Sequence, residues 1–353
     1  MSTQHRRVLQ FTKVLLTGLC LNGVLAGLAA AADVAYVTNE NGGVTVVDIA
    51  TSKIVKEFDV GGKTPRGIGI TKDGRYVLTA NKNSGDMSVI DAQTGKVVRR
   101  VPLGPGPEFL RVYGDKALVT YEPDGMKEDD DDDEDGDKDE KPIPAHIAVV
   151  DIASGRILLS FQSGVETEGI EFSPDGKLIV TTNEGDEAVS VHNAADGKVV
   201  RTIDTKPYGK RPRGLAALPG GKGYVVTFEN SSSLAVLDAD FNVIQKVATK
   251  MGPNGVAFDP TGKLMLVAAA RAGLLQIFDA TTYALVKEVP IGRRCWHFTY
   301  TPDGSKILVA CGRTDDLQVI DAKTFTPTTS IAGFKLPWGV VTYPKAHGSL
   351  DIP

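Results

Sequence analysis

Between Asp33 and Phe58 the chain reads DVAYVTNENGGVTVVDIATSKIVKEF. Two strand-like runs, Ala35 to Thr38 and Val44 to Asp48, flank a Gly-rich turn, and a third run follows from Ile54 to Phe58. Short runs rich in apolar and β-branched residues, bounded by Gly, Asn and Asp, are the signature of strands. The same triplet recurs to the end of the chain, and helical periodicity is absent throughout. This first copy, however, lacks the strand that precedes the triplet elsewhere.

The most regular element occurs seven times, as VTVVDIATSKIV, MSVIDAQTGKVV, IAVVDIASGRIL, VSVHNAADGKVV, LAVLDADFNVIQ, LQIFDATTYALV and LQVIDAKTFTPT. Its anchors are Asp48, Asp91, Asp151, Asn193, Asp238, Asp279 and Asp321, spaced 41 to 45 residues apart except for one interval of 60. That period belongs to propeller blades of four strands. Each anchor ends a strand and opens a reversal, which Asx side chains and Gly stabilise. A second element alternates with it, for example GIGITKDGRYVLTAN and GIEFSPDGKLIVTTN: two β-rich runs joined by a type I turn with a glycine bulge. At the far end PWGVVTY, Pro337 to Tyr343, reads as a first strand with no hairpin partner. Joined to the N-terminal triplet it completes a blade and leaves no open sheet edge. The expected fold is therefore all-β: a seven-bladed propeller of four-stranded antiparallel blades, with one blade shared by the two ends.

Composition adds a compartment and a charge asymmetry. Of 353 residues 42% are hydrophobic and 24% charged, as in an ordinary globular protein. Residues 1–32 differ: Arg6, Arg7 and Lys13 precede an apolar run to Ala32 that ends in small residues, the layout of a cleaved secretory leader. The propeller is expected over 33–353, exported to the periplasm and monomeric. No later segment reaches the apolar length of a membrane helix. The long interval holds an acidic insertion, expected to be disordered, at 124–144; between Lys127 and Lys141 lie 11 acids and 3 bases. This loop's net −8 and the leader's +3 account for the whole formal charge of −5, so the rest of the chain is balanced. Such a loop repels phosphate and excludes nucleic acid, but it can steer a basic partner. Asp131, Asp133, Asp135 and Gly136 match the first positions of a calcium loop, yet Pro142 stands where its bidentate Glu belongs, so the metal reading is weak.

In a propeller the first strand of each blade lines the central channel, and equivalent residues at its start form a ring at one mouth. Here they are Arg66, Glu108, Glu168, Arg213, Asn254, Trp296 and Trp338. One half is charged and the other largely aromatic. In one reading Arg66 pairs with Glu108, Arg213 pairs with Glu168, and the tryptophans fill the channel. In the other, Trp faces and convergent polar groups make a ligand pocket or partner anchor. The two are compatible. His297 stands where most first strands have Gly and is a candidate haem ligand; His146, His192 and His347 show no metal spacing, and no C-x-x-C-H motif exists. Pairing Thr301 with Ser305 across the turn places Cys295 opposite Cys311. At a hydrogen-bonded pair the wider spacing makes a labile disulfide, the alternative being two buried thiols.

AYVTN at Ala35 to Asn39 carries the tetrapeptide that names the YVTN β-propeller family, which the mature chain resembles throughout. GPEF, ETEGIEFSPDGK, RPRGL, GRRCWHFTYTPDG and PWGV, in that order, resemble the narrower group associated with pyrroloquinoline quinone (PQQ)-dependent alcohol catabolism. No such resemblance covers the acidic insertion. The resemblance implies an exported, non-enzymatic accessory without a cofactor. Its partner would be a quinoprotein dehydrogenase, a cytochrome, a transport component or a small ligand. The rival from another class is a haem- or quinone-carrying redox protein like the propeller-type nitrite reductases, using His297 and the tryptophans. Fold alone does not decide between them.

Overall fold

A computed structural model describes residues 33–122 and 143–352. The leader expected at 1–32 and the acidic run with Asp131, Asp133 and Asp135 lie outside the described residues. Pro144, assigned to the insertion from sequence, instead opens a strand, Pro144–Asp151.

The strands form seven four-stranded antiparallel sheets, the blades of an all-β propeller. Blade 1 sets Pro337–Tyr343 beside Val34–Asn39, Val44–Asp48 and Lys53–Phe58, with Val34 opposite Tyr343, so the two ends of the chain close the ring within one sheet. Blades 2 to 7 follow in chain order, with innermost strands Pro65–Ile70, Leu110–Tyr113, Thr167–Phe172, Pro212–Ala217, Pro253–Phe258 and Cys295–Tyr300. The repeated Asx residues act as the pattern predicts. Asp48, Asp91, Asp151, Asp279 and Asp321 each accept a bond at 2.7–2.8 Å from the backbone N–H three residues on, and Asn193 from the N–H two residues on at 2.9 Å. The hydroxyl bonds from Thr51 and Ser154 lead at Asp48 and Asp151, the backbone bonds lead at Asp91, Asp279 and Asp321, and together they hold these carboxyls below their ordinary range.

Blades pack face to face through aliphatic side chains, and near the axis the innermost strands come too close for side chains. A Cβ on Gly67 would sit 2.5 Å from the Glu108 carbonyl oxygen of the next blade, and one on Gly214 would sit 2.0 Å from that of Asn254. Glycine is needed there for proximity.

One feature has no counterpart in the repeat. After Tyr343 a cis peptide to Pro344 turns the chain back, and residues 344–352 enter the central channel. There the Tyr300 amide donates to the His347 carbonyl at 2.8 Å, and the Ser349 amide donates to the Phe298 carbonyl at 3.0 Å. Leu350, 1% exposed, joins the apolar cluster of Ile68, Ile170 and Trp338. The tail is a plug.

Candidate functional site

The ring residues owe their position to one irregularity repeated around the axis. In blades 1, 2, 4, 5, 6 and 7 the register between first and second strands shifts where the ring residue stands, as between Pro65 and Ile68, Thr167 and Gly169, or Cys295 and His297. Such a bulge frees one residue from the alternation of the strand and re-aims its side chain. The chain arrives with a left-handed turn: Thr64, Glu166, Arg211, Arg294 and Leu336, each two residues before the ring position, hold φ between 51° and 59°. A threonine of the preceding blade then clamps the ring residue's carbonyl. Thr38 donates to Arg66 at 2.6 Å, Thr182 to Arg213 at 2.7 Å and Thr227 to Asn254 at 2.9 Å. This gives the tetrapeptide at Tyr36 to Asn39 a physical role. Thr38 joins two blades, while the Asn39 amide reaches Thr45 Oγ1 at 2.9 Å and its Oδ1 accepts from the Lys335 N–H at 3.0 Å.

The charged half of the ring converges. Arg66 meets Glu108 at 2.6 Å and Glu40 at 3.0 Å. Arg213 faces four carboxylates: Glu229 at 2.9 Å, Glu184 at 3.3 Å, Glu168 at 3.4 Å and Glu108 at 3.6 Å. Lys82 adds a contact to Glu108 at 3.4 Å, Arg211 to Glu184 at 2.6 Å and Arg271 to Glu229 at 3.4 Å. Among the described residues these contacts link five acids and five bases into one network across blades 1 to 6. Burial raises the Glu108 carboxyl, but Arg66, Lys82 and Arg213 overcome it and hold the group well below the usual carboxylate range. For Glu168 burial wins: with only Arg213 strongly opposing, and with Glu108 and Glu184 nearby, its carboxyl is pushed well above that range.

The aromatic half is closed. Trp296 is 5% exposed and Trp338 2% exposed, so neither presents a face to a partner at the mouth. Arg294 lies over Trp296 at 4.9 Å, and Gly312 abuts its ring. His297 packs against Trp338 with ring centroids 4.3 Å apart, and its Nδ1 is 3.1 Å from Ser349 Oγ on the tail. Burial, aided by Arg213 and Arg111, pushes its pKa down to about 3, so the ring is neutral. Glu168, Arg213, Asn254 and His297 surround a cavity of about 10 Å³, room for about one water. A haem needs a pocket of about 300 Å³ or more. These residues do not fit it, because Trp338 and the tail occupy the space before His297. Among the described residues no group of three or more His, Cys, Asp or Glu is placed to hold a metal ion.

Cys295 and Cys311 are joined, S–S 2.07 Å, with Cα atoms 3.9 Å apart and not at the wider spacing expected from sequence. The route to that pairing also differs. Thr301 faces Lys306, not Ser305, so the hairpin runs one residue out of the assumed register, and the bulge at Trp296 restores the opposition of the cysteines.

Sequence reasoning found the ring but missed its counter-charges, Glu40, Lys82, Glu184 and Glu229. Each immediately follows a second strand, after Asn39, Asn81, Asn183 and Phe228. The signal was a second fixed offset in the same repeat.

Residues 21–107 match the family model described as the cytochrome D1 heme domain. That stretch is under a third of the chain and ends before Glu108 and His297. No curated protein matches. Among solved structures, a functionally unknown protein from Desulfotomaculum acetoxidans is 15% identical, with TM-score 0.73, covering 88% of this chain and 98% of its own. The periplasmic gluconolactonase of Pseudomonas aeruginosa is 15% identical, TM-score 0.70, covering 91% and 100%. Kuenenia stuttgartiensis hydrazine synthase is 21% identical, TM-score 0.66, covering 79% and 89%. At these identities the likeness is one of fold.

Proposed function

We propose that this propeller is an exported binding component whose recognition surface is the charged mouth, and that it serves PQQ-linked alcohol oxidation by docking a periplasmic protein partner. The observation that carries the reading is the network itself: ten paired charges converging on the mouth, with a cavity of only about 10 Å³ among Glu168, Arg213, Asn254 and His297. A rigid, pre-organised charged surface suits protein recognition, where complementarity sets orientation and association rate. The rim supplies accessible cations, with the side chains of Arg211 and Arg271 42% and 44% exposed. The ends of the acidic insertion, Glu122 and Ile143, emerge between second and third strands, where Glu40 and Lys82 stand in their own blades. The pathway rests on the resemblance of GPEF, RPRGL and GRRCWHF to the PQQ-associated group.

Capture of a periplasmic quinoprotein dehydrogenase by the immobilised protein tests this. Arg211→Glu with Arg271→Glu is expected to slow association at least tenfold at low salt, with little change at high salt. Equal capture by both proteins refutes the site. The redox alternative, raised by the family match, is tested by the visible spectrum of protein purified from its native host. A Soret band overturns the present reading.

A further inference from the structure

A second cavity lies toward the other end of the channel from the charged mouth. It measures about 430 Å³ and opens among the turns that join first and second strands, at Pro219-Gly220 and Pro260 to Gly262. Its origin is geometric. The tail hugs one side of the channel, bonded to Cys295–Tyr300 of blade 7. On the side facing blades 5 and 6 the innermost strands carry small residues, in GLAA and GVAF, and the space between strand and plug stays open. Leu215, Ala216, Ala217, Val256, Ala257 and Phe258 form an apolar wall, and Gly348 and Ser349 of the tail form the side opposite.

Polar groups enter this wall at few points, and most of them are already engaged. Arg111, 2% exposed, pairs with Glu171 at 3.3 Å and donates from Nε to the Ile170 carbonyl at 3.1 Å, while its Nη1 has no hydrogen-bond partner among the described residues. The Glu171 Oε1 is taken by the Phe172 amide at 2.9 Å. On the tail, Lys345 and Asp351 neutralise each other at 2.7 Å. The Asp259 carboxylate is consumed within its own turn by Thr261, Lys263 and Leu264. What remains is a largely apolar chamber of small-molecule size with one buried, unpaired donor, Arg111 Nη1, and with the His347 ring on its lining, the usual makeup of a ligand site.

We propose that this lower chamber binds a small, uncharged, largely apolar molecule bearing one hydrogen-bond acceptor, a carbonyl, ester or hydroxyl oxygen, which Arg111 recognises. A carboxylate ligand is disfavoured by Glu171 beside the guanidinium. An ammonium finds the Glu171 and Asp259 carboxylates on the lining already engaged. The chamber is independent of the mouth, so a ligand can bind while a protein partner is docked.

The test uses the full mature protein and the uncharged dye N-phenyl-1-naphthylamine, with acetophenone as a competitor that carries the acceptor. Saturable one-to-one dye fluorescence is expected. Ala217→Phe, which fills the chamber, and Pro260→Trp, at its exposed rim where little has to move, should each weaken dye binding at least tenfold. Replacing the ion pair as a unit, Arg111→Met with Glu171→Met, avoids leaving one charge buried alone. It should keep dye affinity within threefold while raising the acetophenone competition constant at least fivefold. Dye fluorescence that does not saturate, or dye affinity unchanged in both filled variants, overturns the site. Acetophenone competing equally against the double variant overturns the role of Arg111.

Discussion

Arg213 is the position where removing one side chain disturbs the most charge. Its guanidinium, 14% exposed, lies within 3.6 Å of four carboxylates. Breaking a buried ion pair from one side costs about 3–5 kcal/mol. In Arg213→Met three of the four acids keep another cation: Glu108 retains Arg66 and Lys82, Glu184 retains Arg211, and Glu229 retains Arg271. Glu168 has no other ion pair among the described residues, which sets the expected loss near the lower end, about 3 kcal/mol at neutral pH. The pH dependence follows from the sign of the shift. Glu168 is already pushed up by burial, and without Arg213 it rises further. The folded variant then holds a proton that the unfolded chain releases above its ordinary pKa. Stability therefore falls as pH rises, by up to about 1.4 kcal/mol per pH unit for each such proton. Parent and variant fall in parallel until pH passes the lower Glu168 pKa of the parent, beyond which only the variant goes on falling, so urea unfolding followed by fluorescence of the two tryptophans, at pH 5 and pH 8, should show a deficit that widens toward pH 8. A deficit equal at both values, or larger at pH 5, refutes the electrostatic account and leaves Arg213 a packing residue.

Glu168→Gln removes a carboxyl whose raised pKa makes its ionised form costly, so relative to the parent the variant should gain urea resistance from pH 5 to pH 8; a relative loss over that range contradicts the shift. Deleting residues 345–353 strips the plug, including Leu350, whose burial is worth about 1.5–3 kcal/mol. The melting temperature should fall and tryptophan emission should move to longer wavelength as Trp338 is uncovered, and an unchanged melt shows the tail to be passive. Mass spectrometry under denaturing, non-reducing conditions should find no free thiol at Cys295 or Cys311, and two free thiols there would contradict the bridge.

Blade number and closure were legible because each blade repeats the same local chemistry. An Asx residue that must bond a nearby amide marks each strand end, and the long interval between Asp91 and Asp151 stands out as a loop, not a missing blade. The ring was legible because a propeller converts a fixed sequence offset into a shared axis. Its energetics were not. Whether Arg213 meets one acid or four depends on where side chains from blades 3 to 5 converge, and the bulges that aim them follow no alternation rule. The burial of Trp338 was equally hidden, since it depends in part on the tail PKAHGSLDI, which has neither period nor strand propensity, and Trp296 is covered by Arg294 and Gly312. His297 illustrates the same limit: its place in the channel could be read, but its neighbour Ser349 could not.

Blade 1 also imposes an order on biosynthesis. Val34 emerges from the ribosome about 300 residues before its partner Pro337–Tyr343, an interval of roughly 15 to 60 s at ordinary elongation rates. Until then the edge of Val34–Asn39 is unpaired, available to any other nascent chain. Six blades can assemble as translation proceeds, but the ring cannot lock until Tyr343 has been made. A chain interrupted before Pro337 would therefore carry six blades and one sticky side.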